Sequence, residues 1–132
     1  MIEYLTLDEL LEIHIHMIAK FGGLRGIRDR NLLQSAIEIP KSTMFEEDLY
    51  PTIYDKAAAY LFCIIKNHPF NDANKRTGCA AAYLFLKANG IPIRFIDEDY
   101  EDLAVGVANG EFSKEMATWF FEHGNLKQYK EK

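Results

Sequence analysis

Apolar residues at Leu7, Leu10, Leu11, Ile15 and Ile18 recur at helical spacing and define the first predicted element. Thr6-Leu7-Asp8-Glu9 has capping-box spacing at its start, and Gly22-Gly23 ends it. Asp29 can cap a second helix carrying Leu32, Leu33, Ala36 and Ile37, which Pro40 stops. Residues 41–51 read as a loop containing Glu46, Glu47 and Asp48. A third helix is predicted over 52–67. Its Ala57, Leu61, Ile64 and Ile65 form one face, and much of the opposite face is apolar too, so it is a central, buried helix. A fourth runs from about 74 to 89, with Ala80-Ala81-Ala82 permitting close packing and Gly90 terminating it.

Residues 91–96 suit a short extended piece, and Pro92 keeps it out of a sheet centre. Asp97 or Asp99 can start a fifth helix ending near Gly110, and Ser113 a sixth ending at Gly124. Trp119-Phe120-Phe121 reads as core or a partner surface. The pattern predicts an all-α, compact single-domain bundle of about six helices. The domain covers residues 1–126 and a polar, frayed tail covers 127–132.

Composition narrows the setting. A chain of 132 residues that is 48% hydrophobic supports one real core. No stretch approaches the ~20 apolar residues of a membrane span, and no secretory signal is visible. The two cysteines, Cys63 and Cys79, read as buried free thiols, and a cytoplasmic location follows as the expectation. A net charge of −5 argues against direct, broad nucleic-acid binding. Basic residues still cluster locally at Arg25, Arg28 and Arg30, and again at Lys75 and Arg76, which suits a small phosphorylated ligand.

The chemistry concentrates in His68-Pro69-Phe70-Asn71-Asp72-Ala73-Asn74-Lys75-Arg76, just before the alanine-rich helix. A helix start attracts anions through its free N–H groups and positive dipole end. His68 is a structural or surface residue on its own; beside these neighbours it is a candidate base. Phe70 anchors the loop. Asp72 is either a helix N-terminal residue or an oxygen ligand for magnesium carried by a nucleotide. Asn74 is a cap or a donor to phosphate. Lys75 and Arg76 are a solvated face or an anion site, and two cations in a first helical turn oppose the dipole unless something anionic binds. The glycine-rich segment Gly22-Gly23-Leu24-Arg25-Gly26 matches neither phosphate-loop nor dinucleotide patterns and reads as a helix stop and turn. His14, on the apolar stripe, reads as a buried, hydrogen-bonded histidine.

The nine-residue block resembles the signature of the Fic/Doc superfamily, His-x-Phe-x-(Asp/Glu)-(Gly/Ala)-Asn-(Gly/Lys)-Arg. Ala73 and Lys75 resemble its Doc (death-on-curing) branch. Gly22-Gly23-Leu24 with Ile27-Arg28-Asp29, His14, and Leu84-Phe85-Leu86-Lys87-Ala88-Asn89-Gly90 extend the likeness across nearly the whole chain. The resemblance implies the all-α Fic fold and the toxin of a type II toxin–antitoxin pair. It implies His68 as general base and Asp72 as the holder of Mg2+. It also implies Phe70, Asn71, Asn74, Lys75 and Arg76 as the nucleotide- and phosphate-binding set. Doc relatives are associated with phosphoryl transfer from ATP to a Ser/Thr hydroxyl, with elongation factor Tu as target, which blocks translation. Typical Fic enzymes transfer AMP instead.

Two departures favour the kinase expectation. Lys75 fills space that Fic enzymes leave to glycine, and Cys79 stands where they carry a second arginine. Self-inhibition through Ser/Thr-x-x-x-Glu-Gly/Asn is not expected: Thr118 and Glu122 have the spacing but His123 follows, and Thr43 and Glu47 are followed by Asp48. Restraint by a separate antitoxin, a disordered segment folding into a groove, is the expectation instead. The 41–51 loop corresponds to the flap that positions target peptides in Fic proteins. The alternatives are a Fic-type AMP transferase and a non-catalytic component of a toxin–antitoxin complex that regulates transcription.

Overall fold

Thr6 opens α1 (Leu7–Phe21), Asp29 opens α2 (Arg30–Glu38) and Thr52 opens α3 (Ile53–Asn67). Each side chain accepts a hydrogen bond from the N–H three residues on, and Glu9 and Asp55 return bonds to the two threonine backbones. The computed structural model describes residues 1–130. After α2, a 3₁₀ turn at Ile39–Lys41 absorbs Pro40 and leads into a hairpin of β1 (Thr43–Met44) and β2 (Glu47–Asp48). Beyond α3 come α4 (Asn74–Ala88), α5 (Asp97–Ala108) and α6 (Lys114–His123). The architecture is all-α apart from the hairpin.

The predicted loop at 41–51 is therefore a tiny two-stranded sheet. Its two-residue turn, Phe45 and Glu46, has positive φ without the usual Gly or Asn, so no turn signal marked it. Residues 91–96 form no strand. Lys127–Lys130 form a further helical turn, α7, where a frayed tail was expected; residues 131 and 132 of that tail lie outside the described residues.

As expected, α3 is central, packing against α2, α4, α5 and α6. Tyr60, Leu61, Ile64 and Ile65 are fully or almost fully buried, each stabilising the fold by roughly 1.5–3 kcal/mol. Gly78, Ala81 and Ala82 keep α4 thin, and a Cβ at Gly78 would meet Ile65 at 3.0 Å. Along α1 the buried face is Leu10, Ile13, His14 and Ile18; Ile15, expected on it, is exposed, because the stripe turns toward α4. Phe120 and Phe121 are core, packed against Phe95 and Tyr100 in mostly tilted and edge-on ring contacts. Both thiols are free, with Cys63 buried and Cys79 half-buried. Among the described residues no helix is long and apolar enough to cross a membrane.

Candidate active site

The end of α3 and the start of α4 are joined by six residues, and two of them adopt left-handed backbone. His68, the C-cap of α3, has φ 49° and ψ 61°; Ala73, the N-cap of α4, has φ 63° and ψ 25°. Neither is glycine, so the conformations persist only where surroundings enforce them. Buried Asn74 does so from within: its Oδ1 accepts from the Phe70 N–H and its Nδ2 donates to the Phe70 carbonyl, both at 3.0 Å. The Phe70 ring lies in the core, stacked on His14 with centroids 3.8 Å apart and planes 4° from parallel. His14 Nε2 hydrogen-bonds the Asp72 carbonyl at 3.0 Å, so it is the buried, bonded histidine that the sequence predicts.

The glycine-rich segment is more than a helix stop, for it lies across the motif loop like a clasp. Ile27 and Phe70 form an antiparallel bridge. The N–H groups of Arg28 and Asp29 both donate to the Pro69 carbonyl, and the Asn71 N–H donates to the Gly26 carbonyl. Asn71 Nδ2 donates to the Arg25 carbonyl, and the Leu24 N–H donates to Asp72 Oδ2. Two glycines make this approach possible. A Cβ at Gly23, where φ is +124°, would stand 2.8 Å from Asp72 Oδ2, and one at Gly26, where φ is +104°, 2.9 Å from Asn71 Nδ2.

His68, Asn71, Asp72, Ala73, Asn74, Lys75 and Arg76 together line a shallow hollow of about 320 Å³. The His68 side chain is exposed, and its imidazole has no hydrogen-bond or ionic partner among the described residues. No side chain caps α4, so its first N–H groups have no partner within the helix and open on the same region. Lys75 is exposed. Asp72 receives N–H bonds from Leu24 and Ala73, and these hold its carboxyl below the usual carboxylate range. It is ionised at neutral pH, with lone pairs left on both oxygens. Among the described residues no three His, Cys, Asp or Glu side chains gather into a cluster. A single carboxylate fits magnesium that arrives on substrate phosphates and keeps most of its other ligands.

The structure amends several sequence readings. Asp72 does not cap α4, and neither does Asn74: its Oδ1 and one Nδ2 N–H are spent on Phe70, which leaves one N–H of that amide unassigned. Phe70 offers no phosphate contact: its ring is buried and its N–H is taken. The positive pair is also not the unopposed anomaly it resembles. Arg76 donates to the Met17 and Gly22 carbonyls at the negative end of α1, and its guanidinium lies 5.5 Å from the Phe21 ring centroid. Only Lys75 is left facing the dipole unpaired. Arg28, counted with the basic cluster, donates Nε to the His68 carbonyl and a terminal nitrogen to the Asn67 carbonyl, each at 2.6 Å. Its role was not readable, since nothing local links residue 28 to residue 68. Burial pushes the Cys79 thiol up to about 12, and it lies outside the hollow that His68 lines.

Comparison with known proteins gives consistent results. A family model described as the Fic/DOC family matches residues 4–86. A "Toxin Doc" of Mycolicibacterium smegmatis is 42% identical over 110 residues, covering 82% of this chain and 82% of that protein. A "Protein kinase doc" of Escherichia phage P1 is 34% identical over 110 residues, covering 83% of this chain and 86% of that one.

Proposed function

Because this chain belongs to the Fic/Doc family, and within it resembles the Doc toxins, we propose that it is the toxin of a toxin–antitoxin pair and a protein kinase. In this reading it moves the terminal phosphoryl group of ATP to a Ser or Thr hydroxyl of a cytoplasmic translation factor. Elongation factor Tu is the acceptor that the Doc resemblance suggests. One observation carries the proposal: an unpartnered imidazole and an uncapped helix start share one hollow. The first offers a proton acceptor and the second a row of anion-binding N–H groups.

His68 removes the proton from the incoming hydroxyl as its oxygen bonds to the γ-phosphorus. The bond from that phosphorus to the β,γ-bridging oxygen breaks, and ADP leaves. The α4 N–H groups, Lys75 and the unspent N–H groups of Arg76 hold the phosphate oxygens and stabilise charge there. Catalysis of this kind is mainly positioning and electrostatics. Asp72 would hold Mg2+, which supplies charge neutralisation at the phosphates. The hairpin of β1 and β2, with Phe45 exposed at its tip, is the element that presents the acceptor segment, and a separate antitoxin restrains the enzyme.

The test uses ATP labelled at either the α or the γ phosphorus, with purified elongation factor Tu and with cell extract as acceptors. Label from the γ position on protein is the expected result. Label from the α position would replace the kinase by an AMP transferase. His68→Ala should lose transfer by about 10²-fold or more while nucleotide still binds; full activity in that variant would end its role as base.

A further inference from the structure

We propose that Arg28 is the positioning residue that aims the His68 imidazole, a proposal that rests on His68 being the base. The geometry is specific. Arg28 Nε holds the His68 carbonyl and its terminal nitrogen holds the Asn67 carbonyl, both at 2.6 Å. Those two carbonyls belong to the peptide planes on either side of the His68 Cα. Fixing both planes fixes φ and ψ of His68, and with them the direction of its Cα–Cβ bond. The backbone there is left-handed, at φ 49° and ψ 61°, a conformation that a residue with a Cβ leaves readily when nothing enforces it.

The clamp is itself located. The Arg28 N–H donates to the Pro69 carbonyl, and its neighbour Ile27 bridges Phe70, so the guanidinium reaches back from the residues that flank the one it holds. Its charge sits at the negative end of α3, where the last carbonyls lack intrahelical donors. Planarity matters as much as charge: a guanidinium fork grips two oxygens in a fixed relation, and an ammonium does not. The imidazole has no hydrogen bond of its own to orient it, so the backbone is what sets it.

The experiment compares full-length wild type, Arg28→Ala and Arg28→Lys, in two readouts. The first is the set of backbone carbon and nitrogen NMR shifts of His68, which report its left-handed conformation without any reaction. The second is transfer of label from ATP. In both variants the His68 shifts should leave their left-handed values while those of the distant α5 and α6 stay in place. In Arg28→Ala, kcat should fall by about tenfold to a hundredfold with the nucleotide KM little changed, and added ethylguanidinium should restore part of the rate. Arg28→Lys should remain impaired despite keeping the charge. Unmoved His68 shifts, or full activity in either variant, would overturn the proposal. Should Arg28→Ala fail to fold, Arg28→Lys carries the same test. A wild type that transfers neither phosphoryl nor AMP defeats the enzymatic reading, and the shifts alone then decide what Arg28 does.

Discussion

Two loops of this molecule each hold a pair of non-glycine residues in left-handed backbone, and they are secured in opposite ways. In the motif loop the pair is His68 and Ala73; in the hairpin it is Phe45 and Glu46. In the motif loop Pro69, Phe70 and Ala73 are buried, and bonds from Asn74, His14, Arg28 and the 22–29 segment pin nearly every peptide in it. The hairpin turn is exposed, Phe45 almost completely so. Beneath it the ladder is two residues long, with one further bond from the Leu49 N–H to the Ser42 carbonyl. The fully buried Lys56 tethers it, its ammonium meeting Asp48 at 3.2 Å. The difference teaches that strain alone does not make a site. Where many contacts over-determine the backbone, the candidate base is held in one place; where few do, the segment is left able to move.

The largest effect should come from Asn74→Ala. It strands the buried N–H and carbonyl of Phe70, at a cost of roughly 1–3 kcal/mol for each orphaned group. Urea denaturation should show a loss of roughly 2–4 kcal/mol in all, and transfer should fall with it. A loss well under 1 kcal/mol would mean that the loop is held mainly from outside. A smaller effect, of opposite sign, is expected at the hairpin. Replacing Phe45 by Asn and Glu46 by Gly supplies residues suited to that turn and should stabilise by about 1 kcal/mol, a rise in melting temperature of a few degrees. No rise would mean that the turn stores no strain.

The smallest effect separates the two loops by pH. Leu24 and Ala73 lower the folded-state pKa of Asp72, so its contribution is present above the ordinary carboxylate value near ~3.9. That contribution fades as pH falls through the depressed folded value. Asp72→Asn should therefore be less stable than wild type at pH 6, and the gap should narrow below about pH 4. Urea midpoints measured across that range check the sign. A gap that widens toward acid would place the carboxylate's support elsewhere.

Much of this was legible along the chain. Thr6, Asp29 and Ser113 mark helix starts because capping is local chemistry, complete within four residues. The all-round apolar character of α3 revealed its central place for the same reason. The nine-residue block could be read as a candidate site because imidazole, carboxylate and cations are adjacent in sequence. The clasp could not. Gly23 and Gly26 resemble any helix-ending turn until Asp72 and Asn71 arrive against them, and Arg28 and Arg76 resemble surface cations until their carbonyl partners are known. The hairpin escaped notice because Phe45 and Glu46 carry none of the residues that announce such a turn.

The ties between the clasp, α1 and the motif loop join residues between 39 and 59 positions apart. Contacts of that range are late to close as a chain folds, because the loops they shut cost entropy before they return anything. A fluctuation that lifts residues 22–29 away would take the imidazole out of aim while α3 and α4 remain packed. Any opening confined to that segment would therefore abolish the proposed transfer with every helix still intact.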